Sequence, residues 1–360
     1  MTDELAREPY GSLTKSNKRK IIVIGVTAIA VVLLFFASLM VGSSRMGFAD
    51  SFAAIFGQGS ATNVRIVQQI RLPRALAALI AGIGLSSAGL IMQSTLKNPM
   101  ASPSTLGVSN AAVFGANLSI IGFAGGFLDT GNHVDQFASG ANPFATSSIA
   151  FLFALLSTLL ILGLCRIRSF ASETIVLAGI ALGTVWTALT SIFQFYATDV
   201  GLSAAIVWTF GDLGRATFET DWIMFGVIAV STVVFVLLQW RYNAVSADEN
   251  VAKSLGVRVG LLRFVSLLLS SLITAVCVSY LGIIGFIGII CPHAMRRIVG
   301  NNHHFLLPAS ALLGGALLLC SDIVSRLIGG GSVLPVGAIT SLLGAPFFLY
   351  LVFTRKGGRA

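Results

Sequence analysis

The residues best placed to do chemistry lie in the longest polar stretch between apolar runs, from Arg241 to Gly260. Ser246, with Glu249 three positions later, spells a capping box, in which each side chain satisfies a free amide at a helix start. Asp248 and Glu249 suit the positive end of a helix dipole, and Gly256 suits the left-handed residue that stops a helix. A short helix over 247–255 is predicted, polar and cut off by glycine. Its chemistry is recognition, as a handle for another protein or as a capped surface helix with no partner. Bond-making chemistry finds less support. His133, His293, His303 and His304 are scattered and form no H-E-x-x-H, with His303 and His304 expected in a solvated loop. No G-x-x-x-x-G-K-[ST] run is present, so ATP is not bound by that route. Cys165, Cys277, Cys291 and Cys320 lack paired spacing and read as small packing residues. No catalytic residue and no metal site is predicted.

These side chains hang on an apolar scaffold. Of 360 residues, 55% are hydrophobic and 10% charged, against about 25% charged in soluble domains. The mean hydropathy is +0.89. Apolar runs of roughly 20 residues recur along the chain, enough to cross a bilayer as helices. They are continuous rather than alternating, and backbone in lipid must satisfy its own hydrogen bonds, so helices are favoured over a barrel. The expectation is an all-α polytopic membrane protein with about ten transmembrane helices. They fall near 20–41, 66–92, 106–125, 146–165, 173–197, 221–240, 262–282, 285–299, 305–327 and 336–354. The first run exceeds a signal-peptide core of roughly 7–15 residues and has no convincing cleavage site, so it reads as a retained span.

Charge orients the bundle. An even number of spans puts both termini on one side. With residues 1–20 as a cytoplasmic tail, the inner loops carry Lys97, Arg166, Arg168, Arg241, Lys253, Arg258, Arg263, Arg296 and Arg297, and a second tail, 355–360, adds three more. Outside lie Arg45, Arg65, Arg71, Arg74, Arg215 and Arg326, so the inner face holds the excess of Lys and Arg. The net charge of +9 follows from that bias and argues for no nucleic-acid partner. Small residues from Ala81 to Gly89 predict close helix approach. Acidic residues inside the spans are few. Asp322 can pair with Arg326 four positions on, and Glu173 sits at an inner edge. An ion-coupled carrier would want carboxylates near midplane, so a secondary transporter is disfavoured.

Several motifs in fixed order then point to a family. Arg71-Leu72-Pro73-Arg74, Asn98-Pro99-Met100-Ala101-Ser102-Pro103, Leu177–Gly183, Gly285-Phe286-Ile287-Gly288, Pro292-His293, Ser321–Arg326 and Leu334-Pro335-Val336-Gly337 together span about residues 65–354. The chain closely resembles the FecCD-type permeases, membrane subunits of type II ABC importers for iron siderophores, haem and cobalamin. The resemblance implies a permease domain over 21–354 that pairs with a second permease copy, identical or related, and whose fifth helix lines the path between them. It implies two ATPase subunits gripping the segment 241–262, here through Ser246, Glu249, Ala252, Leu255 and Gly256, with ATP and Mg held by those partners and no cofactor on this chain. It implies an extracytoplasmic substrate-binding protein whose acidic residues meet Arg71, Arg74 and Arg326, unless these arginines snorkel or pair with Asp322. Ser172 becomes an inner gate candidate, while Gly126–Ala145 matches no motif. The expected cargo is a ferric siderophore, then haem or cobalamin, carried across a bacterial cell membrane. The chain would be a translocation subunit and not an enzyme. A secondary transporter, or a membrane scaffold without transport, is the alternative of another class.

Overall fold

The computed structural model describes residues 4–42, 46–124, 142–167, 171–328 and 333–353. Most of the outer segment 126–145, His133, Arg45, Arg168 and the tail 355–360 lie outside the described residues. Helix α1 (Glu4–Met40) is continuous, so the boundary expected at residue 20 is no break in structure. The stretch between the first two expected spans holds two short helices, α2 (Phe48–Ile55) and α3 (Ala61–Ile66), the latter capped by Ser60. A π-helical turn, Val67–Arg71, leads into α4 (Leu72–Thr95). There follow α5 (Val108–Asn117), α6 (Pro143–Ile167), α7 (Ser172–Phe195), α8 (Asp199–Thr209) and α9 (Phe218–Leu237). The rest comprises α10 (Gln239–Ala247), α11 (Glu249–Ser254), α12 (Val259–Leu281), α13 (Ile287–Val299), α14 (His303–Ile328) and α15 (Val336–Phe353).

Each of the ten expected runs contains a helix, but their lengths differ. Among the described residues, seven helical stretches are long and apolar enough to cross a membrane: 17–40, 61–95, α6, α7, α9, α12 and α14. Helix α13 has 13 residues, about 20 Å at 1.5 Å per residue, well short of the hydrocarbon core. Helix α8 was not expected. Thr198 caps it by accepting from the Gly201 amide.

Helix α4 is the centre of the bundle. Of its apolar window 78% is buried, against 11% for α1 and 28% for α7 and α9. Its small residues make this possible, as expected. A Cβ at Gly82 would collide with the Gly314 backbone of α14, and one at Gly89 with Gly288 of α13. Ser86 donates to the Ser310 carbonyl at 2.6 Å, pinning α4 to α14 where the backbones meet.

Between α12 and α13 the chain leaves helical geometry inside the bundle, and other backbone segments satisfy it. Ile283 donates to the Thr209 carbonyl, Asp212 to that of Leu281, and Val336 to that of Gly211. Irregular backbone at such depth is tolerated where protein, not lipid, surrounds it. On α9 and the start of α10, Trp222 and Trp240 are exposed.

Candidate functional site

The end of the bundle that the charge pattern predicts to face inward, here called the inner end, is built around α11. Asp248, not Ser246, is its cap: the Asp248 carboxylate accepts from the Asn250 and Val251 amides at 2.7 and 3.1 Å. The expected capping box is therefore corrected. Helix α10 runs on through Ala247 and absorbs Ser246, so the first free amides belong to residues after 248. Those amides hold the Asp248 carboxyl below the usual carboxylate range. Glu249 is the first residue of α11 and turns sideways to Lys253 and Arg263. Burial raises its pKa, but the bonds and charges of those two cations outweigh it and leave the pKa lowered. Gly256 takes the expected left-handed conformation, φ +79°. Its amide reaches the Lys253 carbonyl and that of Val257 the Ala252 carbonyl, the bond pair of a Schellman stop. Ala252 is buried, whereas Val251 and Leu255 are exposed.

A cleft of about 680 Å³ opens beside this helix. Its walls bring together the 96–99 turn, Ser172 and Glu173 at the start of α7, Glu249, and Arg263 of α12. The sequence placed these groups on one face of the membrane, and the structure places them around one cavity. Lys97, in the left-handed region at φ +50°, and Glu173 put opposite charges on its rim. Above the cleft, α7 buries an edge of Gly179, Gly183, Trp186 and Thr190. Its open face carries Thr184, Thr187 and Ser191, whose hydroxyls bond back to carbonyls of the preceding turn.

The sequence reading missed the burial of several polar groups at this end of the bundle. His303, expected in a solvated loop, is buried: the ring nitrogens lie 2.7 Å from Asn243 Oδ1 and from Ser94 Oγ. Tyr242 contacts Ser266 Oγ at 3.0 Å, and burial pushes its phenol up to about 12. Arg263 was counted as a loop charge but lies buried in the second turn of α12. The available signal was a charge beginning an apolar span, a position that demands a partner.

The outer arginines are turned inward, and the alternative of pairing with Asp322 holds for Arg74 and Arg326. Arg71 and Arg74 are buried, and the Arg326 side chain is 7% exposed. Arg71 donates to the Leu39 and Met40 carbonyls at 2.8 and 3.1 Å. Arg326 donates to those of Ser38 and Val41 at 2.9 and 2.6 Å. Two guanidiniums thus cap the free carbonyl end of α1, where helix dipole and unpaired acceptors both attract cations. Asp322, fully buried, binds Arg74 at 2.7 Å and the expected partner Arg326 at 2.6 Å. Half-exposed Asp212 stands 3.7 Å from Arg74. Among the described residues, no group of three or more His, Cys, Asp or Glu could hold a metal ion.

Residues 29–354 match the model of the FecCD transport family. The chain belongs to that family. FecCD relatives include a Methanocaldococcus jannaschii protein named as an ABC transporter permease, 43% identical over 93% of this chain and 95% of the relative. An iron(3+)-hydroxamate import system permease of Bacillus subtilis is 34% identical over 94% of this chain and 98% of its own length. A solved structure described as an inward-facing conformation of a metal-chelate type ABC transporter superposes with a TM-score of 0.78 at 28% identity, covering 92% of this chain and 98% of that one. As a FecCD member the chain is a multi-pass membrane permease subunit, and the relatives it matches are translocation subunits, not ATPases.

Proposed function

We propose that this chain forms the membrane path of an ATP-driven importer of ferric siderophores in a bacterial cell membrane, with ten spans and both termini cytoplasmic. The observation that carries the reading is the inner end: a capped, glycine-stopped helix, exposed at Val251 and Leu255, that shares a cleft with the start of α7. Two ATPase subunits grip segment 241–262 and supply ATP and Mg. A second permease copy closes the path against the open face of α7, and a substrate-binding protein delivers cargo from outside. With Arg71, Arg74 and Arg326 held inside the chain, that protein must either draw one of them out or dock on exposed outer groups such as Arg65. Iron chelate is preferred because relatives are named for iron(3+)-hydroxamate and Fe(3+)-citrate import. Vitamin B12 and molybdate permeases also match, so cobalamin import is the second reading.

The test is assembly and energy source. The chain should purify as a dimer carrying two ATPase subunits, and vesicles holding that complex should accumulate a ferric hydroxamate only with ATP. A monomer that transports without ATP would overturn the reading in favour of a secondary carrier. Mass spectrometry of the ligand on the co-purifying binding protein decides between iron chelate and cobalamin.

A further inference from the structure

Three consecutive residues end α4, and each is tied to a different neighbour. Gln93 donates to the Gly288 and Ile289 carbonyls and accepts from Arg296, all on α13. Ser94 meets His303, whose other nitrogen meets Asn243 of α10. The Thr95 carbonyl accepts from Arg263 Nε at 3.1 Å, while Arg263 Nη2 donates to Glu249 Oε2 at 2.9 Å. Both halves of the segment 239–254 are therefore joined by polar ties to the last turn of α4, which runs directly into the 96–99 wall of the cleft.

The second tie is the informative one. Only Ala252 of α11 is buried, so apolar packing holds this helix weakly. Among the described residues its salt bridges are Glu249–Lys253, internal to the helix, and Glu249–Arg263, which leaves it for the bundle. The planar guanidinium reaches a carboxylate and a helix-terminal carbonyl at once, which an ammonium does from a single nitrogen. Charge-assisted bonds at a buried site are strong and directional. If α11 moves and both bonds survive, the end of α4 must follow.

We propose that Arg263 is a positioning residue that carries displacement of α11 into the last turn of α4, and so moves the 96–99 wall of the inner cleft. This rests on the reading that ATPase partners grip α11, and the experiment separates the two. In the reconstituted complex, spin labels at Lys253→Cys on α11 and at Met100→Cys beyond the cleft wall are each measured against a reference at Glu219→Cys on the outer end of α9. The native cysteines are buried or half-buried. In the otherwise unaltered chain both distances should change when ATP and vanadate are added. With Arg263→Met the ATPase subunits should remain bound and the change at 253 should persist, while the change at 100 is lost. Arg263→Lys should recover part of it. The swap Glu249→Arg with Arg263→Glu restores an ion pair but leaves Thr95 without a donor, so the change at 100 should stay absent. Movement at 100 that survives Arg263→Met, or returns with the swap, overturns the proposal. So does loss of ATPase binding in Arg263→Met, which would make Arg263 part of the docking surface. No nucleotide-dependent change at 253 in the unaltered complex would instead remove the ATPase reading itself.

Discussion

Asp322→Asn is the sharpest probe of the outer cluster. The carboxylate is fully buried, hydrogen-bonded to Arg74 and ion-paired with Arg326, each on a side chain 7% exposed. Neutralising it leaves two buried cations facing one amide, whose nitrogen can only donate. Removing one partner of a buried pair costs about 3–5 kcal/mol, because the partner stays charged and desolvated. Two features moderate the loss without cancelling it: Arg326 keeps its carbonyl acceptors on α1, and Asp212 still stands near Arg74. Asp212→Asn is the control, since a half-exposed pair at 3.7 Å is worth about 0–1 kcal/mol. Unfolding by denaturant in mixed micelles, followed by fluorescence of the four tryptophans, should show a large loss for Asp322→Asn and almost none for Asp212→Asn. Equal losses for the two variants would refute the claim that the cluster is buried. The same logic applies to Arg71→Glu with Arg74→Glu, which should unfold the outer end and so cannot serve as a clean docking test.

Two further outcomes concern α11. Gly256→Val meets no steric obstacle, since nothing lies within 4 Å of an added Cβ. The cost is conformational, about 1–2 kcal/mol for a left-handed L-residue, which lowers the capped population by a factor of roughly 5–30. ATP turnover stimulated by the loaded binding protein should fall while the chain stays folded, and unchanged turnover would make the Schellman stop irrelevant to coupling. Acid should loosen the same helix. Asp248 and Glu249 have folded pKa values lowered from their ordinary ones, so their contribution is present above the ordinary carboxylate range and is lost as pH falls through the folded values. Amide exchange over 249–256, read as protection factors, should therefore be slow at neutral pH and lose protection as the solution is acidified below the ordinary carboxylate range. Equal protection at both would show that the two carboxylates do not hold the helix.

Periodic and local features were legible in the sequence, and partnerships across the bundle were not. Apolar runs located a helix in each expected span, and the Ala81–Gly89 run announced the close approach that Gly82 and Gly89 make. The Asp322–Arg326 pair was readable because four residues of helix fix its geometry. Arg74, 248 positions away from Asp322, has no such rule, so spacing alone could not show that the same carboxylate binds it. At the inner end the expected cap, Ser246, and the observed one, Asp248, stand two residues apart. Which one won depended on where α10 stopped, and tertiary packing around Tyr242 and Val245 decides that. The cleft was invisible for the same reason: its walls come from four separated stretches of chain.

The two ends of α4 differ in a way that bears on how such a subunit could work. At the outer end Arg71 binds the carbonyl end of α1, and Arg74 binds Asp322 of α14, so three helices share one buried ionic cluster. At the inner end Gln93, Ser94 and Thr95 are tied to α13, α14 and α12, and two of those ties continue into α10 and α11. The middle is locked by backbone contact at Gly82 and Gly89, where no side chain can yield. A push on α11 delivered through Arg263 therefore meets a helix held at its outer end and centre. The compliant part is what lies beyond the last turn, the 96–99 wall and the start of α7 across the cleft. Opening of the inner face with little change at the outer arginines is the motion this arrangement favours. Labels at Met100 and at Arg65 should thus respond unequally to nucleotide, and an equal response would mean that α4 tilts as a whole and that the outer cluster is no anchor.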